Sequence, residues 1–215
     1  MNKKQRDKIL SCLDIANYFL VLVDRKAGDT ITQLKLQKLI YFAQGISLAL
    51  FDRPLFTEEI EAWKHGPVTR ALRLTFGNFE ADGIPSPGEI DFDIYSKNQK
   101  ELIYKVYSFY GEHTAAYLRN LTHTHSIWCE AIIRQNKIIT KEEMCKFFKT
   151  DVIKDIKDYL LSISKEDIVQ IENAEDQWWM NYDSGVPAED ITEQLLKAKK
   201  ELQEKRGEIE SYLLV

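Results

Sequence analysis

Gln33, Lys35, Lys38, Tyr41 and Gln44 fall within one short stretch, and Trp63, Lys64, His65 and Arg70 follow closely. Together they combine amides, cations and aromatic rings, side chains suited to recognising an acidic or planar surface of another protein. The same residues also fit a plainer reading, with Trp63 in the core and Lys35 and Lys38 on the solvated face of a helix. His123, His125 and Cys129 form the one close set of metal-ligating types. No fourth ligand is evident, so hydrogen bonding at a helix end is expected there, and no metal or other cofactor. His113 reads as a solvated helix-start residue. Gly83-Ile-Pro-Ser-Pro-Gly88 has the spacing of a phosphate loop, but Glu89 stands where a lysine is required. Its two prolines also lack the N–H groups that would cradle phosphate oxygens. The patterns G-x-S-x-G, H-E-x-x-H and C-x-x-C do not occur.

Helical periodicity dominates the elements that must hold these residues. Ile9, Leu13, Ala16, Leu20 and Val23 recur at spacings of three and four within a helix over 6–26. Lys3, Lys4, Arg6 and Lys8 before the apolar run Ile15–Val23 look like the start of a signal peptide. Asp14 and the closing Asp24-Arg25-Lys26 point instead to a core helix. Thr32 offers an N-cap to a second helix with the stripe Leu36, Leu39, Ile40, Ala43 and Ile46. On that helix Lys35 and Lys38 fall beside the stripe, which predicts that charge reversal at Lys38 leaves the fold intact. Alternation over Glu58–Trp63 predicts a short strand, and Gly66-Pro67 the start of a helix. A Gly- and Pro-rich loop over 77–95 follows, then helices through Leu102–Tyr110, Ala115–Leu121 and Trp128–Ile133. Thr140 and Glu143 make a capping-box pattern ahead of Met144, Phe147 and Phe148.

Composition narrows the function classes. The 215 residues are 44% hydrophobic and 29% charged, with nine Gly and five Pro, which favours helices joined by short loops over a β-sandwich. The net charge of −5 argues against strong non-specific binding to nucleic acid, and Arg70 and Arg73 alone make a thin recognition helix. Three widely spaced cysteines, Cys12, Cys129 and Cys145, suit a reducing compartment, so a cytoplasmic protein without a membrane span is expected. Near Ser164 the character changes to an acidic, Gly/Pro-interrupted stretch, and Leu195, Leu202 and Ile209 then recur at heptad spacing. The expected organisation is a domain over 1–163 and an acidic linker with a helical extension over 164–215. Trp178 and Trp179 within that segment could anchor a partner or pack on the core.

Lys35-Leu-Gln-Lys-Leu-Ile-Tyr-Phe-Ala43, Arg53-Pro-Leu-Phe56, Glu61-Ala-Trp63, Gly66-Pro-Val68, Leu121-Thr-His123 and Trp128 stand in an order and spacing that resemble the Panacea domain, the family typified by the SocA antitoxins. The resemblance covers about 32–131, with His65 where family members carry Tyr, Lys or Arg. It implies a mainly α fold: a compact helical domain with a small β element and, here, a helical C-terminal extension. It also implies an antitoxin that neutralises a cognate protein toxin, often encoded next to it on a phage or mobile element, without catalysis. Direct stoichiometric binding is the leading expectation, and delivery of the toxin to a AAA+ protease is the alternative. From a different class, an unrecognised small enzyme is the rival. The partner-binding residues expected on this basis are Lys35, Lys38, Tyr41, Gln44, Trp63, Lys64, His65, Arg70, Trp178 and Trp179.

Overall fold

Ser11, Thr32, Ser96, Thr114 and Thr140 each precede a helix, and each hydroxyl accepts a hydrogen bond from the backbone N–H three residues on. At Ser11, Ser96 and Thr140 the bond is reciprocal, with Asp14, Gln99 and Glu143 returning to the cap backbone. Each such cap satisfies N–H groups that the helix leaves unpaired, an effect of about 1 kcal/mol. In the computed structural model, residues 8–79 and 81–154 are described. The elements in chain order are α1 Cys12–Leu22, α2 Gln33–Phe51, β1 Ile60–Trp63, β2 Gly66–Val68 and α3 Arg70–Phe76. After two 3-10 turns come α4 Lys97–Tyr110, α5 Ala115–His123, α6 Ser126–Ala131, β3 Ile138–Ile139 and α7 Lys141–Phe147, which runs on into a π turn, Phe148–Val152. The fold is mainly α with one small antiparallel sheet. No helix among the described residues is long and apolar enough to cross a membrane.

α2 is the axis of the domain. It packs against α1, α4, α5, α7 and β2, and every residue from Leu36 to Leu48 is buried. A helix enclosed on all sides must bury its polar positions too, and this overturns the solvated face expected at Lys38. Its side chain is fully buried, as are those of Tyr41 and Gln44 to within 1%. At the far end Asp52 takes a left-handed conformation (φ 52°) and its N–H bonds Leu48 O, which closes the helix.

The sheet has the order β2-β1-β3, with Trp63 opposite Gly66, Ala62 opposite Pro67, and Ile60 opposite Ile139. Gly66-Pro67 therefore lies in a strand and does not begin a helix. Gly66 sits at φ 95°, a backbone state open to glycine, and it turns the chain back after the two-residue loop Lys64-His65. Pro67 lacks a donor but occupies an edge strand, where a missing N–H is tolerated. α3 then starts at Arg70.

Two other expectations shift. The Ser11 cap moves the start of α1 to Cys12, so Ile9 is exposed and the buried face runs through Cys12, Ile15, Ala16 and Phe19. The segment resembling a phosphate loop is a strap: Ile84 is buried, its N–H bonds Ile31 O at 2.8 Å, and Gly83 bridges Thr32. Arg25 fastens it by donating to Leu20 O at 2.7 Å and to Ile84 O at 3.1 Å. The boundary near Ser164 and the heptad stretch lie outside the described residues.

Candidate partner-binding site

The polar residues of α2 form a row of internal clasps. Gln37 donates to Thr69 O at 3.2 Å and accepts from Thr69 N at 2.8 Å. Lys38 Nζ donates to Pro67 O at 3.0 Å. Gln44 accepts from the N–H groups of Leu55 and Phe56 at 2.8 and 3.2 Å and donates to Phe56 O at 2.9 Å. Ser47 Oγ donates to Arg53 O at 2.9 Å. Each clasp gives a partner to backbone that forms neither helix nor ladder at that point, and so pins the 53–56 segment and the β2–α3 junction to one helix. This is the structural use of Lys38 and Gln44.

Tyr41 takes part in a ring cluster. Its hydroxyl and His125 Nδ1 are 2.8 Å apart, and its ring meets Phe42 and Phe148 edge-on at 5.4 and 5.3 Å. His123 stacks on Trp128 at 4.0 Å, Trp128 Nε1 donates to Trp63 O at 3.2 Å, and Cys129 Sγ contacts His123 O at 3.2 Å. The two histidines and Cys129 thus have separate packing tasks. Among the described residues no group of three His, Cys, Asp or Glu is placed to hold a metal ion.

Electrostatics follow from burial. Desolvation, aided by the Arg119 charge, holds the Lys38 amine well below the ordinary lysine range. Desolvation also lowers His123 to about 3, with Arg119, Lys38 and His65 adding in the same direction, and lowers His125 to about 4. Unfolded histidine takes up its proton near pH 6.5. Stability from these rings is therefore complete above that pH and is lost as the pH falls towards 4, because the unfolded chain binds protons that the folded chain refuses. His125→Gln, which stays neutral, is expected to flatten the slope of unfolding free energy against pH between about 6.5 and 4 by close to one proton. An unchanged slope in urea titrations across that range would reject this role for His125.

The exposed part of the expected site lies on the β1–β2 hairpin and the start of α3. Glu61 joins two of its members: Trp63 Nε1 donates to Glu61 Oε2 at 2.9 Å, and Arg70 Nε and Nη2 donate to the same carboxylate at 3.0 and 3.2 Å. The guanidinium holds the Glu61 carboxyl below its usual range. Trp63, Lys64 and His65 are half-buried, while the Arg70 side chain is 67% exposed. Gln33 and Lys35 sit half-buried in the first turn of α2. Trp178 and Trp179 lie outside the described residues. Glu61 entered the sequence reading only as part of the Glu61-Ala-Trp63 motif, because its position in a strand gave no sign that it would bridge a tryptophan and an arginine. Gln37 stands in the Lys35–Ala43 motif without a role of its own, because its partner Thr69 lies 32 residues away.

The hairpin, the clasped axis α2 and the ring pair His123–Trp128 make one continuous segment of chain. No curated protein and no solved structure matches the chain. Residues 36–129, which take in the hairpin, the ring pair and α2 from Leu36 on, match the model of the antitoxin SocA-like, Panacea domain family, the family that the sequence motifs resemble.

Proposed function

We propose that this protein is an antitoxin that neutralises a cognate protein toxin in the cytoplasm by direct stoichiometric binding. The observation that carries the reading is the match of residues 36–129 to an antitoxin-like domain. The outer face of the hairpin adds physical support. Trp63 and Arg70, held on Glu61, with Lys64 and His65 beside them, present aromatic and cationic groups in a fixed arrangement. Preset side chains of these types lose little freedom on binding and are frequent energetic centres of interfaces. Lys38, Tyr41 and Gln44 contribute by holding that scaffold, not by touching the partner.

Co-expression with the product of the neighbouring reading frame tests the reading. The neighbour alone is expected to arrest growth, and this protein to relieve the arrest and to co-purify with it in a fixed ratio. Lys64→Glu with Arg70→Glu is expected to reduce relief by at least about tenfold, while a charge change at half-buried Lys64 and loss of the solvent-exposed Arg70–Glu61 pair are expected to move stability by about 1 kcal/mol. Relief by the double variant equal to wild type would remove the hairpin from the interface. A harmless neighbour would remove the antitoxin reading. Loss of the toxin only when a AAA+ protease is present would replace occlusion with delivery.

A further inference from the structure

Leu74 is an apolar residue that the packing of α3 does not use. Leu72 supplies the core contact of that helix at 1% exposure, whereas Leu74 stands 81% open to water. Arg70, Arg73 and Leu74 occupy positions i, i+3 and i+4, which places them on one side of the helix. A single exposed leucine is ordinary on a protein surface. This one stands beside two guanidiniums that are fastened in advance: Arg70 by its paired bonds to Glu61, and Arg73 by donating Nη1 to Gly77 O at 3.1 Å. Through Glu61 the patch is continuous with Trp63. Its charge is positive beyond what Glu61 balances on Arg70. α3 itself carries no acid, and among the described residues neither Arg73 nor Lys64 has a carboxylate partner.

Resting on the reading of the protein as an antitoxin, we infer that the protein partner docks on the outer face of α3, where Leu74 enters an apolar hollow of the partner that carboxylates border. An apolar centre within a charged border is the usual layout of an interface, in which the middle is dry and polar groups surround it. The sign of the border follows from the cations. A carboxylate beside Leu74 gains a partner in Arg73, whereas a lysine or arginine there meets like charge. Both guanidiniums have donors to spare, because two of the five N–H groups of Arg70 and one of those of Arg73 bond within the chain. Their internal bonds also hold them in place before docking, which reduces the freedom lost on binding.

The probe is the purified product of the neighbouring reading frame, titrated into the full chain at low and at high salt. Leu74→Gln, which suits a helix and removes the apolar side chain, is expected to weaken binding at least about tenfold at both salt concentrations. Arg73→Glu is expected to weaken it at least about tenfold at low salt and by less at high salt, because exposed charges are screened. Lys146→Glu on the exposed side of α7 makes the same change in net charge and is expected to bind as wild type does. Should Arg73→Glu melt early, Leu74→Gln decides alone. Binding by Leu74→Gln equal to that of wild type, or equal losses for Arg73→Glu and Lys146→Glu, overturns the inference. So does a wild-type dimer that Leu74→Gln converts to monomer, since a second copy would then be the occupant. Growth relief separates the two readings. If wild type and Leu74→Gln bind and relieve arrest equally, the α3 inference fails and the antitoxin reading stands. If the neighbour arrests no growth yet its product binds wild type and not Leu74→Gln, the antitoxin reading fails and α3 remains a docking face. No binding to wild type overturns both.

Discussion

Lys38→Glu is expected to destabilise the protein by about 3 kcal/mol or more, a loss comparable to that of Leu39→Asp on the next position of α2. The amine of Lys38 is fully buried and donates to Pro67 O at 3.0 Å. A carboxylate in its place would set an acceptor against an acceptor and would carry an uncompensated charge out of water, a cost of several kcal/mol even when a cation such as Arg119 lies near. Lys38→Met separates the two causes. It keeps the length and apolar stem and loses one hydrogen bond, so a loss of only about 1 kcal/mol is expected. Urea denaturation of the three variants reads the difference. Near-native stability of Lys38→Glu would show that the amine reaches solvent, and equal losses for Met and Glu would show that charge is not the cause.

The second large effect is expected at Gly45. In the middle of a helix, Gly→Ala ordinarily stabilises by about 1 kcal/mol, because alanine has less backbone freedom to lose. Here the sign reverses. A Cβ at Gly45 would come within 2.2–2.4 Å of three carbons at the end of the Phe148 ring, which is itself fully buried against Tyr41 and Phe42. Overpacking of that kind costs about 1–3 kcal/mol, so Gly45→Ala is expected to lose about 2 kcal/mol and Gly45→Val more. The cause is checked by a double-mutant cycle with Phe148→Leu, in which the Ala substitution should become much less harmful, with a coupling of about 1–3 kcal/mol. A stabilised Gly45→Ala protein, or a cycle without coupling, would mean that the π turn after α7 does not seat on α2 in this way. The contact matters beyond stability, since Phe148 and Tyr41 bring the His125 ring and α2 together.

These two positions mark where reading of the chain alone stops. Local chemistry was legible in it. Thr32 and the Thr140–Glu143 pair are caps whose donors and acceptors lie within three residues of each other, so their geometry follows from the sequence itself. The strand at Ile60–Trp63 was visible in its alternation, and the motifs of residues 36–129 were visible in their order. The outer members of the candidate site, Trp63 and Arg70, were found by residue type.

Which polar groups stay wet was decided only by the tertiary structure. A stripe of Leu36, Leu39, Ile40 and Ala43 announces one buried face, and Lys38 beside it reads as solvated because burial of a lysine is costly when considered alone. Among the described residues the partner that offsets that cost is Pro67 O, a carbonyl 29 residues away on an edge strand, and no local pattern carries such a partner. The same holds for Gln44, whose amide takes the place of ladder hydrogen bonds for Leu55 and Phe56, and for Gly66-Pro67, which has the local form of a helix start until Ala62 and Trp63 pair with it. Spacing along the chain determines which groups can meet within one turn of helix. Enclosure of α2 from Leu36 to Leu48, a property of the assembled domain, determines which of them must.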